Sequence, residues 1–442
     1  MFRRTAIPFL LVSICLAQDN TSRMEQVVQS YVENKQFMGS ALVARDGTVL
    51  LNKGYGFANL EWEVRNSPTT RFRLGSITKQ FTAACILLLE ERGKLKVDDP
   101  VKKYMTDAPA AWDKVTLFNL LTHTSGIPGF TEFPDYASSE AIATTPERLV
   151  ARFRDKPLEF QPGEKWNYSN SGYVLLGYLI EKISQQSYSQ FVQENIFNPL
   201  GMKDSGYDSN SAIIPHRASG YTPSTKGVMN TGFIDMSIPF SAGGLYSTTE
   251  DLLRWEQGLM GGKLLSSASL QKMTTPFKND YAFGLAVRTV NGHKLIEHGG
   301  EIEGFNTELA YYPEDRLTVV VLANLNGQAP EQIASKLAAV VHGENVVLPS
   351  ERKEVTVPPA ILAKYVGTYE LAPGFDVVMT LEGGQLMTQA TGQPKFPLFA
   401  ESETTFFLKV VDAELEFLKN EKGDVTHFIL HQGGRDTKGT KK

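Results

Sequence analysis

The sequence predicts an α+β fold: an antiparallel sheet flanked by helices with an all-helical subdomain, followed by a small C-terminal all-β barrel. Three observations predict it. Strand-like runs stand near both ends of residues 18–345 and enclose a helical middle. Val346 to Pro359 carries three prolines and mixed charge without periodicity, as a linker does. Beyond it, short segments alternate apolar and polar residues with a period of two.

The first element is an expected export signal over residues 1–17. Arg3 and Arg4 give a basic start, Ala6 to Leu16 an apolar run of signal-peptide length, and Cys15-Leu16-Ala17 a small-x-small cleavage site before Gln18. Val12-Ser13-Ile14-Cys15 is a faint match to a lipoprotein processing site, and the large Ile14 argues against a lipid anchor. The expected location is therefore periplasmic or secreted. No later run is long and apolar enough for a transmembrane segment.

Behind Thr21 and Ser22, Met24, Val27, Val28, Tyr31 and Val32 recur at helical spacing. Ser40 to Arg45 and Thr48 to Gly54 form a hairpin about Asp46-Gly47, a strong two-residue turn signal. Ser76 to Arg92, rich in Ala, Leu and Ile and closed by Gly93, reads as a buried helix in which Cys85 is a small core residue. Leu117 to Leu121, Ser171 to Ile183 and Thr249 to Leu259 supply further helices. Strands return at Phe283 to Val290, Lys294 to Glu297, Thr307 to Tyr312 and Leu317 to Ala323, before a helix near Ala329 to Val341. Both ends of the body are expected to complete one sheet. After the linker 346–359, residues 360–434 read as the barrel, with strands at Tyr365 to Glu370, Asp376 to Leu381, Gln385 to Ala390, Phe406 to Val411, Glu414 to Leu418 and His427 to His431. The basic tail 435–442 is expected to be unstructured.

Of 442 residues, 44 are Lys or Arg and 49 Asp or Glu, and removal of the signal takes away two arginines and no acid. That balance gives no support to nucleic acid or anionic lipid as a partner. With Cys15 removed by the same cut, Cys85 is the remaining thiol, so no internal disulfide is expected.

Ser76-Ile77-Thr78-Lys79 opens the buried helix directly after Gly75. A spacing of three puts hydroxyl and amine on one helical face, and burial at a helix N-terminus disfavours the ammonium, leaving a neutral amine able to take the serine proton. Spacing alone is weak, because Ser269-Leu270-Gln271-Lys272 repeats it. Company separates the two. Tyr168-Ser169-Asn170 follows the first copy in a polar loop before a helix, and His298-Gly299-Gly300 lies between strand-like runs. Together they offer a nucleophile, a lysine, a proton-shuttling phenol, an amide and a glycine-flanked strand that a substrate backbone can approach.

On these motifs the chain resembles the serine β-lactamase and penicillin-binding superfamily, in the branch of class C β-lactamases, D-stereospecific peptidases and related esterases. The three motifs stand in family order over residues 20–345, supported by Leu120 to Gly126, Gln161-Pro162-Gly163 and Ser241-Ala242-Gly243-Gly244. Pro358 to Glu370 resembles the start of a lipocalin-like domain that some members carry. The resemblance implies that Ser76 forms an acyl-enzyme, that Lys79 and Tyr168 share the proton traffic, and that Asn170 binds the substrate amide. The oxyanion would sit between the backbone amides of Ser76 and Glu301, with His298, Gly299 and Gly300 lining the substrate, and His123 would be structural. No cofactor or metal is implied.

The third motif departs from the Lys-Thr-Gly of most penicillin-recognising members. A histidine with a reference pKa near ~6.5 offers a hydrogen bond and little charge at pH 7. Glu297, Glu301 and Glu303 add negative potential nearby. Both features favour neutral or amine-bearing esters and amides over carboxylate-bearing substrates, so an exported esterase or D-amino acid peptidase or amidase is expected, acting on a small-molecule or peptide substrate. A class C-type β-lactamase, a DD-carboxypeptidase and a non-turnover penicillin-binding sensor or scaffold remain alternatives, and the oligomeric state stays open. An α/β-hydrolase is disfavoured because no serine has glycine at both second neighbours, and a zinc enzyme because no histidine pair has zincin spacing. His427 and His431 read as solvent-facing barrel residues.

Overall fold

A computed structural model describes residues 9–348, 351–411, 413–432 and 435–442, with side chains from Asn20 onward apart from Arg435. Residues 1–8 of the expected export signal lie outside the described residues. From Phe9 the chain is helical, in α1 (Phe9–Glu33). This helix starts before Thr21 and Ser22 because neither Pro nor Gly interrupts residues 9–23. Its face of Met24, Val27, Val28 and Tyr31 is buried as the spacing predicts. Among the described residues no helix is long and apolar enough to cross a membrane.

Contacts divide the chain into two compact units, residues 1–338 and 339–442. In the first, β1 (Gly39–Arg45) and β2 (Thr48–Tyr55) form the expected hairpin. Asp46 at φ 52° and Gly47 at φ 78° supply the left-handed pair that a two-residue turn of this hand requires. β3 (Ala286–Val290), β4 (His293–Ile302), β5 (Phe305–Tyr312) and β6 (Leu317–Ala323) complete an antiparallel sheet of order β3-β4-β5-β6-β1-β2. β6 pairs with β1 from Ala323 opposite Gly39 to Leu317 opposite Arg45, so both ends of the body do share one sheet. The expected short run Lys294 to Glu297 belongs to the longer β4, which carries His298, Gly299 and Gly300 inside it. Consecutive glycines, with no side chain to alternate, hide that continuity from a reading of polarity.

Beside the sheet lies α2 (Thr78–Glu91), in which every residue from Thr78 to Leu89 is buried. α3 (Leu117–Leu121), α4 (Pro146–Arg154), α5 (Asn170–Ser184) and α6 (Phe240–Gly243) form the helical part, with α5 and α6 packed on α2. α7 (Thr249–Met260) lies against β1 and β6, and α8 (Ser267–Thr274) against α2, before the closing α9 (Ala329–His342). Residues such as Phe81, Ile86 and Leu87 are fully withdrawn from water. At about 1.5–3 kcal/mol for each such side chain, α2 is held by its packing on all sides.

The second unit is a nine-stranded antiparallel sheet made of β7 (Gly367–Ala372), β8 (Phe375–Glu382), β9 (Gln385–Ala390), β10 (Phe396–Pro397), β11 (Phe399–Ala400), β12 (Thr405–Phe407), β13 (Ala413–Lys419), β14 (Val425–Gln432) and β15 (Arg435–Lys441). Its order is β10-β9-β8-β7-β15-β14-β13-β12-β11. The two outermost strands are separated in sequence by Leu398 alone, so the sheet curls into a nearly closed barrel around Tyr365, Tyr369, Met379, Phe406, Phe417 and Phe428.

Here the structure corrects one expectation: residues 435–442 are not an unstructured tail, because β15 bridges β14 and β7. The strand buries Gly439 and leaves most of its other described positions exposed, so backbone pairing holds it and no apolar alternation announces it. Gly439 stands opposite Phe428, where a Cβ would come within 2.5 Å of the ring.

Candidate active site

Ser76 sits in the single turn Gly75–Ile77 that leads into α2, half-buried and facing two cavities. Two glycines let β4 press onto this turn. Gly75 has φ +53°, and a Cβ there would lie 2.8 Å from the Glu301 backbone nitrogen. A Cβ on Gly300 would lie 1.9 Å from the Leu74 carbonyl oxygen, while Thr307 Oγ1 on β5 donates to that same oxygen at 2.8 Å. The Glu301 backbone is thereby brought into contact with the turn that carries Ser76.

Lys79 Nζ lies 2.9 Å from Ser76 Oγ, 2.9 Å from Asn170 Oδ1 and 2.9 Å from the Ala242 carbonyl oxygen. The residue is wholly buried, and desolvation alone pushes its pKa well below the usual lysine value. Of its three partners, Ser76 is the one with a proton to give, because Asn170 Oδ1 and Ala242 O can only accept. A neutral Lys79 therefore donates twice and turns its lone pair to Ser76. Tyr168 OH donates to Ser76 Oγ at 2.8 Å, and burial pushes its phenol up, so it is held as a neutral donor. Asn170 begins α5, where its Nδ2 donates to Thr131 Oγ1 at 3.1 Å. That bond and the Lys79 contact fix which way its amide points. The preceding Ser169 N donates to His123 Nδ1 at 3.1 Å, and the His123 ring lies 4.3 Å from that of Tyr168, so His123 supports the loop and stays off the serine.

His298 is placed differently from the expectation that it hydrogen-bonds a substrate. Its Nδ1 faces the Gly299 carbonyl and its Nε2 lies 2.9 Å from Tyr281 OH. The carbonyl can only accept, so Nδ1 carries the proton and Nε2 accepts from Tyr281, which occupies both ring nitrogens. Burial first, and then Lys79 whenever it is protonated, lower its pKa to about 4, so the ring is neutral at pH 7.

Two cavities meet at Ser76. One of about 90 Å³ is lined by Asn170, Thr131, Phe130, Glu301 and Glu303; the other, of about 480 Å³, by Tyr168, His298, Gly299, Glu301, Glu308 and Glu331. The predicted residues Ser76, Lys79, Tyr168 and Asn170 are thus hydrogen-bonded into one cluster, with Gly299, Gly300 and Glu301 along its edge. Thr131, Tyr281, the Ala242 carbonyl and Glu308 were missed by sequence reasoning. Ala242 lies in a supporting segment already recognised; the other three carry no local signal. The second Ser-x-x-Lys copy is elsewhere, on α8, where Lys272 Nζ is bonded to Glu90 at 2.8 Å.

The chain is 30% identical to a penicillin-binding protein of Bacillus subtilis over 449 residues, covering 95% of this chain and 98% of that one. The structure of an octameric penicillin-binding protein homologue from Pyrococcus abyssi superposes with a TM-score of 0.68 at 29% identity, covering 95% of this chain and 99% of that one. A D-stereospecific amidohydrolase from a Streptomyces species superposes with a TM-score of 0.64 at 26% identity, over 73% of this chain and 99% of that one. Residues 351–441 match a family described as a domain of unknown function. Residues 24–343, which carry the sheet, the helical part and the Ser76 cluster, match the β-lactamase family model, and the chain belongs to the β-lactamase family.

Proposed function

We propose that the protein is an exported serine hydrolase that works through an acyl-enzyme on esters or amides, with D-amino acid amides and short peptides among its substrates. One observation carries this: the Ser76 hydroxyl is hydrogen-bonded at once to a buried lysine and to a neutral phenol. Lys79 takes the serine proton as Oγ attacks the carbonyl carbon, and the oxyanion is held by the Ser76 and Glu301 amides. Tyr168 passes its proton to the leaving oxygen or nitrogen and recovers one from Lys79. Water then attacks the acyl carbon, with the same pair accepting its proton, and the acid leaves Ser76 restored. Export rests on the basic, apolar start of the chain.

The lining of both cavities supports the preference for uncharged or cationic substrates. It holds Glu301, Glu303, Glu308 and Glu331 and no Lys or Arg, so a substrate carboxylate finds no side-chain cation to pair with. The relatives named for penicillin binding favour a second reading, acylation by β-lactams with slow release. A panel of p-nitrophenyl esters, D-amino acid amides and a chromogenic cephalosporin tests both. The expected outcome is a higher kcat/KM on ester or amide than on cephalosporin, and the reverse order overturns the preference. Intact-mass spectra after mixing with a penicillin separate a persistent adduct from turnover.

A further inference from the structure

The two cavities at Ser76 differ in what they can hold. Tyr168, the proton donor, opens on the larger one, so on the hydrolase reading the leaving group departs into it, while the acyl group lies toward Asn170. We propose that this larger cavity is a subsite for leaving groups that carry an organic cation, recognised by Glu308 with help from Glu331. The inference rests on that reading and adds the substrate class.

Glu308 on β5 stands directly opposite Gly299 on β4. Opposed residues share a face, and since Gly299 has no side chain the carboxyl fills its place, with Oε2 3.0 Å from where a Gly299 Cβ would be. Glu308 is 5% exposed, and its Oε1 is buried with no hydrogen-bond partner. A buried, unpartnered carboxyl oxygen is costly unless something arrives to pair with it. Arg288 stands nearby and draws the Glu308 carboxyl down, but it makes no ion pair with it; it bonds Glu297 at 2.5 Å and stands 3.7 Å from Glu331. Burial first, then Glu297 and Glu331, push the Glu308 carboxyl well above the usual range against the opposing pull of Arg288, which favours its neutral form until a cation arrives. An ammonium in the cavity favours the ionised form of Glu308 and pairs with it, whereas a carboxylate there would find no Lys or Arg in the lining.

The test uses two thioesters with one acyl group and leaving groups of the same shape: acetylthiocholine, which is cationic, and its neutral isostere 3,3-dimethylbutyl thioacetate. In each, the Ser76–acyl bond forms, the carbon–sulfur bond breaks, the thiolate takes a proton and water releases acetate, so thiol release reports turnover. The expected wild-type ratio of kcat/KM, cationic over neutral, is roughly tenfold, and it falls toward one in Glu308→Gln and part of the way in Glu331→Gln. Binding of choline and of 3,3-dimethylbutan-1-ol to the full chain carrying Ser76→Ala, followed by NMR titration, gives a readout without turnover, with choline expected to bind more tightly. Ser76-dependent hydrolysis of both thioesters at equal kcat/KM overturns the subsite and leaves the hydrolase standing. Tighter binding of choline without turnover of either thioester supports the subsite and overturns the hydrolase reading for thioesters. Equal binding of choline and the neutral alcohol overturns the subsite.

Discussion

Ser-x-x-Lys recurs along the chain, at Ser76, at Ser269 and at Ser350 in the linker, and the first two copies are built in opposite senses. At Ser76 the serine is half-buried at the meeting of two cavities, and Lys79 is fully buried with no carboxylate bonded to it. At Ser269 the serine is 5% exposed, while Lys272 has a half-exposed side chain bonded to Glu90 at 2.8 Å. The first arrangement yields an accessible hydroxyl beside an amine that prefers to be neutral. The second yields a hidden hydroxyl and a solvated ammonium held by a carboxylate. Spacing sets which side chains share a face; burial decides which of them can react.

The largest test of this contrast is removal of each hydroxyl. Ser76→Ala is expected to lower kcat on a p-nitrophenyl ester by at least about 10⁴-fold, the scale seen when a nucleophile acting with its base is removed. Ser269→Ala is expected to leave kcat within about twofold, since it lies on a surface helix apart from the cluster. Parallel rates for wild type and Ser76→Ala would reject the mechanism. Next come the lysines. Lys79→Gln is expected to cost about 10²–10⁴-fold in kcat as the general base is lost, and Lys272→Gln to leave the rate unchanged and remove one exposed ion pair worth about 0–1 kcal/mol of stability.

Titration sharpens the same contrast. Desolvation lowers the Lys79 pKa well below its unfolded value near 10.5, so the base form grows as pH rises through the folded pKa. The rate is therefore expected to climb with pH over that titration, and the limb to vanish in Lys79→Gln. Stability has the same sign. Between the folded and the unfolded pKa the unfolded chain binds the extra proton, so this residue makes the fold more stable as pH increases across that window. His298, at about 4, is already neutral above pH 6, and replacing it is expected to leave the shape of the profile there unchanged. A pH–rate series on wild type and the two variants checks both statements.

Much of this was legible in the sequence, and what was not has a common cause. The sheet of the first unit was readable because β1, β2, β5 and β6 alternate or run apolar, and the site was readable because Ser76, Lys79, Tyr168 and Asn170 lie in short motifs next to helix starts. Partners supplied by register were not. Glu308 meets Gly299 only because β5 pairs with β4 in one particular alignment, and Tyr281 reaches His298 from a loop. β15 escaped for a related reason: its order comes from backbone pairing with β14 and β7, which leaves no imprint on side-chain polarity.

The smallest expected effect asks how far the supporting company of the first copy extends. Tyr281→Phe removes the donor to His298 Nε2 and leaves that nitrogen buried without a partner, at a cost of about 1–3 kcal/mol of stability. Ser266→Ala removes the side chain that caps α8 and accepts from Ser269 N, at a cost of about 0.5–2 kcal/mol. The two variants therefore lower the melting temperature by similar amounts through unrelated contacts. They should part in kinetics. His298 lies on β4 three residues before Glu301, so release of its ring is expected to reduce kcat/KM about three- to tenfold, consistent with small displacements at an oriented site. Loosening α8 touches nothing that bonds to Ser76, and kcat/KM should hold. Equal kinetics in the two variants would show that the pairing of Tyr281 with His298 serves the fold alone.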